Sequence, residues 1–103
     1  MPAFIVVNIA EVKDAEAYAR YRQAVSDGIA RAGGKYLVRG GALEVLEGAW
    51  RPGRFVVVEF ETAGAAREWW NGPDYAPLRK LRQQSTRSEM ILVEGTPSAE
   101  AGK

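Results

Sequence analysis

Ala3 to Val12 carries apolar side chains on both alternating faces, with Ile5, Val7 and Ile9 on one and Phe4, Val6 and Ala10 on the other. A strand with one wet face alternates apolar with polar, so this strand is expected to be covered on both sides. The period then changes. Asp14 suits a helix N-cap and Glu16 falls in the first turn, where the helix dipole favours an acid. Tyr18, Tyr21, Val25, Ile29 and Ala32 recur at threes and fours and make one amphipathic face. Gly33-Gly34 ends the helix without steric penalty. Gly28 inside it weakens the helix and would allow close packing.

Lys35 to Leu46 reads as a second strand interrupted by Gly40-Gly41, a pair expected to mark a bulge, a bend or close backbone approach. Gly48 to Gly53 reads as a hairpin loop and Arg54 to Glu61 as a third strand. That strand is again apolar on both faces: Val56, Val58 and Phe60 against Phe55 and Val57. Thr62 can cap a helix over Ala63 to Trp70, which Asn71-Gly72-Pro73 breaks. Further helical turns run from Asp74, as N-cap, to Ser85, with Pro77 early enough that its missing N–H costs nothing. Glu89 to Gly95 forms the last strand, and Thr96 to Lys103 a small, polar, frayed tail after a single domain over residues 1–95.

The order β-α-β-β-α-β predicts the α+β, ferredoxin-like arrangement: a four-stranded antiparallel sheet with two helices on one face. The other face keeps large apolar side chains that a lone chain would expose. A second copy of the same sheet is the simplest cover, so a homodimer through the open sheet face is expected.

Composition narrows the chemistry. The chain of 103 residues contains no cysteine and no histidine. That removes disulfides, thiolate nucleophiles, and the commonest general base and metal ligand. No acidic cluster has the spacing of a magnesium site, so neither a metal nor a cofactor is expected. A net charge of +1 gives no strong field toward nucleic acid or membrane. No basic leader precedes an apolar run, and no apolar stretch approaches the ~18 residues of a membrane span. The expectation is a soluble, cytoplasmic protein. Pro2 follows Met1, so the free terminal proline that small tautomerases use as a base is not expected here.

An ordered set of residues adds a resemblance. It runs through Asp14, Tyr18 and Tyr21; Gly33-Gly34-Lys35-Tyr36 and Arg39-Gly40-Gly41; Glu47-Gly48, Arg54 and Glu59-Phe60. It continues with Ala66, Trp69, Asn71, Pro73, Tyr75, Arg82 and Glu94-Gly95. In these the chain resembles the domain-of-unknown-function 1330 family, within the dimeric α/β-barrel superfamily. The resemblance implies the fold and dimerisation and leaves the reaction open. If an enzyme, it implies a cofactor-independent isomerase or oxygenase type. Trp70 departs from the tyrosine more usual there, so no role needing a phenol is assigned to it.

Each candidate site residue has two readings. Arg39, beside the paired glycines, either pairs with Glu59 or another strand carboxylate, or forks onto a ligand carboxylate. Glu59, the one charge inside an apolar strand, shares a face with Phe55 and Val57. It is either a salt-bridge partner of an arginine or a general acid or base. Tyr18, Tyr21, Trp69, Trp70 and Tyr75 are either core or the walls of a pocket. Trp69 and Trp70 point about 100° apart, so only one can be central to the core. Arg79, Lys80, Arg82 and Arg87 are either a solvated face or an anion site; nucleic acid is not expected. The functional reading joins these into one pocket between sheet and helices. Arg39, Tyr21, Trp70, Tyr75 and Arg82 bind a small anionic or aromatic metabolite there, and Glu59 and Tyr18 carry protons. The alternative is a non-catalytic dimeric scaffold or regulatory module whose charges are structural.

Overall fold

The computed structural model describes residues Met1–Thr96. The expected frayed tail falls almost wholly outside them. The elements are β1 (Ala3–Val12), α1 (Ala15–Arg31), β2 (Lys35–Arg39), β3 (Arg54–Phe60), α2 (Ala63–Asn71), α3 (Ala76–Ser85) and β4 (Thr86–Glu94). The strands form one antiparallel sheet in the order β2-β3-β1-β4. This is the ferredoxin-like arrangement. It carries three helices rather than two, because the second helical stretch breaks at Gly72-Pro73 into α2 and α3.

Local chemistry explains most boundaries. The Asp14 carboxylate accepts from Ala17 N at 3.1 Å, and Thr62 Oγ1 accepts from Ala65 N at 3.0 Å, each capping its helix. At the end of α1, Gly34 N–H donates to Ile29 O at 2.8 Å and Gly33 N–H to Ala30 O at 3.0 Å. This is a Schellman closure with Gly33 at φ 83°.

Four sequence expectations are corrected. β2 stops at Arg39, not Leu46. Gly40, at φ 71°, donates to Phe55 O and turns the chain out of the sheet. Asn8 recaptures it by accepting from Gly53 N at 2.8 Å. Asp74 is not the cap of α3: Tyr75 holds that position, already helical at φ −84° and ψ −25°, with Pro77 just inside. β4 starts at Thr86, three residues earlier than expected, straight out of α3. Gly28 makes no close helix contact; a Cβ there would meet only Arg31 Nη2, at 3.8 Å.

The core lies between the sheet and the helices. Ile5, Val7, Ile9, Val58 and Phe60 point into it and meet Tyr18, Tyr21, Val25 and Ile29 of α1. The opposite face carries Phe4, Val6, Phe55 and Val57 half-buried, with Ile91 and Val93 exposed. The molecule is 17 Å across its thinnest direction, a two-layer slab. Among the described residues, no helix is long and apolar enough to cross a membrane.

Candidate functional site

The face of α1 sets the site. Tyr18 and Tyr21, one turn apart, stack with ring centroids 6.0 Å apart. The Tyr21 hydroxyl reaches past the sheet to the Tyr75 hydroxyl at 2.9 Å. Tyr75 also packs against Trp69, whose ring centroid is 4.1 Å away and which itself leans on Phe60. Burial, with the neighbouring Tyr75 second, pushes the Tyr21 phenol far above its ordinary range, so it stays protonated.

Arg82 lies behind the tyrosines. Only 4% of it is exposed, although it sits on a helix rich in charge. Its Nε donates to the Tyr75 hydroxyl at 3.3 Å and its Nη1 to Ser88 Oγ at 2.7 Å. Thr86 Oγ1 donates to Arg82 O at 2.6 Å, which uses its one proton. Ser88 must therefore donate in the 2.9 Å bond between Ser88 and Thr86. Every one of these partners of the guanidinium is a neutral hydroxyl. Nη2 makes no hydrogen bond among the described residues.

Arg82 and Ser88 line a groove of about 360 Å³ between α2, α3 and β4. Trp70 forms one wall, and Met90 and Leu92 contribute apolar floor. Trp70 is held from outside by Arg79, whose Nη1 donates to Trp70 O at 2.8 Å and whose guanidinium lies 4.3 Å from the ring centroid. Both tryptophans are half-buried against the core; Trp69 packs on Phe60 and Tyr75, and Trp70 lines the groove.

The structure brings some expected site residues together and separates others. Arg82 and Trp70 line this groove, Tyr75 joins it through its bond to Arg82, and Tyr21, bonded to Tyr75, lines the chamber that also holds Tyr18 and Arg39. Arg39 lies on β2, at the opposite edge of the sheet from β4. It donates to Ser26 Oγ at 2.8 Å and lies over the Tyr36 ring. Tyr18 and Arg39 line a narrow chamber of about 40 Å³ between α1 and the sheet, with Arg22 and Arg54. That volume admits about one water, well below the ~300 Å³ of an ordinary ligand pocket. Glu59 is on the open face, paired in register with Lys35 and Phe4, and borders a separate depression with Pro2. It meets neither Arg39 nor the tyrosines. Arg22 and Ser88 were not singled out from sequence. Arg22 follows Tyr18 by four positions on α1, and that spacing was its only signal. Among the described residues, no group of acidic side chains could hold a metal ion.

A four-stranded antiparallel sheet in this order, with helices packed on one face, defines the ferredoxin-like class. Within that class, the chain belongs to the family described as Domain of unknown function (DUF1330), whose model matches residues 2–96. No curated protein matches the chain significantly. Among solved structures, a protein of unknown function from Rhodopseudomonas palustris, RPA0582, superposes with a TM-score of 0.76 at 22% identity. The match covers 93% of this chain and 83% of that one. SnoaB, a cofactor-independent oxygenase from Streptomyces nogalater, gives 0.63 at 13% identity, covering 94% and 95% of the two chains. A dimeric ferredoxin-like protein of unknown function from a Jannaschia species gives 0.64 at 14%, covering 92% and 100%. At these identities the likeness is one of fold.

Proposed function

We propose that the protein is a homodimer that binds a small organic acid with a flat apolar body in the groove floored by Arg82. One observation carries this reading: Arg82 is buried as a residue, 4% exposed, and among the described residues its guanidinium bonds only neutral hydroxyls beside a groove. A buried charge is costly unless an opposite charge meets it. A carboxylate entering the groove would supply that charge at Nη2. Trp70 would cover the flat body, and the Asn71 and Gln83 amides at the rim would select polar substituents.

The reading is binding rather than turnover. Tyr18 and Glu59 lie away from the groove, and Tyr21 and Tyr75 reach it only through Arg82. The scaffold alternative draws on the same bonds, since Arg82 also ties α3 to β4. Dimerisation rests on the thin slab and its apolar open face; the Jannaschia protein, similar in fold, is described as dimeric.

Thermal shift and calorimetry with benzoate, and with benzyl alcohol as its neutral counterpart, test the proposal. Benzoate is expected to raise Tm and the alcohol is not, because a ligand of the native state stabilises it. Trp70→Ala, a groove-wall change, should weaken benzoate binding while the chain still folds. Arg82→Met should abolish it, if that variant folds. No benzoate shift, or equal shifts with acid and alcohol, would sink the reading and leave the scaffold.

A further inference from the structure

The register shift between Tyr36 and Val38 returns Arg39 to the helix-facing side of β2, where it pairs with Val56. Arg54, two residues before Val56 on the neighbouring strand, faces the same way. Arg22 approaches from α1. All three border the mouth of the narrow chamber between α1 and the sheet.

Their contacts are neutral or aromatic. Arg39 bonds Ser26 and lies 4.3 Å from the Tyr36 ring centroid, and Arg22 lies 5.5 Å from that of Tyr18. The Arg54 guanidinium is pressed against Gly40, where any Cβ would collide with it. Its Nε is buried and makes no hydrogen bond among the described residues. Three like charges thus share one chamber mouth, and one of their N–H groups is buried without an acceptor. An oxyanion seated among the three guanidiniums would offset their shared charge. Three planar donor forks exceed what the two oxygens of a carboxylate can take, and match the three terminal oxygens of a phosphate monoester.

We propose that Arg22, Arg39 and Arg54 form a receptor for a phosphate group, at the sheet edge opposite the Arg82 groove and independent of it. Free phosphate and a small phosphate ester share the chemistry recognised. Calorimetric titration at low ionic strength with inorganic phosphate, phenyl phosphate and acetate tests it. Wild-type protein should bind phosphate saturably, at one site per chain, and acetate far more weakly. Phenyl phosphate binding tighter than phosphate would assign the site to an ester; equal binding would assign it to the free ion. Arg39→Gln and Arg22→Gln, both at exposed positions, should each weaken phosphate about 10-fold or more, the worth of one charge-assisted bond. Arg54→Gln should do the same if it folds. Trp70→Ala should leave phosphate binding intact, which separates this site from the groove. Absence of saturable binding, acetate binding as tight as phosphate, or wild-type affinity in both exposed variants would overturn the assignment.

Discussion

The hydroxyls of Tyr21 and Tyr75 meet 2.9 Å apart although 54 positions separate them in the chain, and Arg82 bonds the second from behind. The three residues come from α1, the α2–α3 turn and α3. One chain of hydrogen bonds therefore joins the long helix to the helical pair, and continues through Ser88 into β4.

Removing the middle of that chain should cost more than removing its end. Tyr75→Phe leaves both the Tyr21 hydroxyl and Arg82 Nε without their shared partner. A loss of about 2–3 kcal/mol is expected in urea unfolding, against about 1 kcal/mol for Tyr21→Phe. The double variant should cost less than the two losses added, because the second change removes a group the first left unpaired. Simple additivity would show that the bonds act separately.

Alkaline pH tests the same pair through linkage. The Tyr21 phenol is raised above its ordinary value, mainly by burial. The unfolded chain then releases this proton near pH 10 while the folded chain keeps it. Above that point the unfolded state binds fewer protons, so stability falls as pH rises. The slope is about 1.4 kcal/mol per pH unit for this group. Tyr21→Phe should flatten the decline between roughly pH 10 and 12. An unchanged slope would place the sensitivity elsewhere.

Two glycines of α1 and its cap should respond oppositely to alanine. At Gly28 a Cβ meets only Arg31 Nη2, at 3.8 Å, so Gly28→Ala should add about 0.5–1 kcal/mol of helix stability. At Gly34 a Cβ would stand 2.6 Å from Ile29 Cγ2 and 3.1 Å from Phe60 Cζ. Gly34→Ala should therefore destabilise by about 1–3 kcal/mol. Thermal melts of the two variants give the signs directly.

The sequence made the frame legible where local chemistry and period agree, as in β1, α1 and the glycine pair that closes it. It misled over Gly41 to Leu46, where an apolar pattern resembles a strand. Gly40 at positive φ takes that segment off the sheet, and tertiary capture of Gly53 by Asn8 leaves no symptom in local pattern. Arg39 and Arg82 read naturally as one clamp, because sequence shows charge but not strand order. The order β2-β3-β1-β4 sets their elements at opposite edges. Arg82 also looks like part of a wet basic helix face. Its burial follows from the direct passage of α3 into β4, which folds Ser88 back over it.

Dimerisation can be tested at one row of the sheet. Register places Val38 opposite Val57, Val57 opposite Val6, and Val6 opposite Ile91, an apolar line across all four strands on the open face. Ile91, at its edge, is 58% exposed and Val38, at the other, 39%. A two-fold partner would meet this row with its own copy. Val57→Lys, at the centre, would then bring two ammonium groups together in a dry interface, whereas on a solvated face the lysine would be harmless. Sedimentation at micromolar concentration should show wild type as a dimer and Val57→Lys as a folded monomer. Arg20→Glu, at an exposed position of α1 in the helix layer, should leave the dimer intact. A monomeric wild type, or a Val57→Lys chain that sediments as wild type does, would mean that some other surface, or none, holds two copies together.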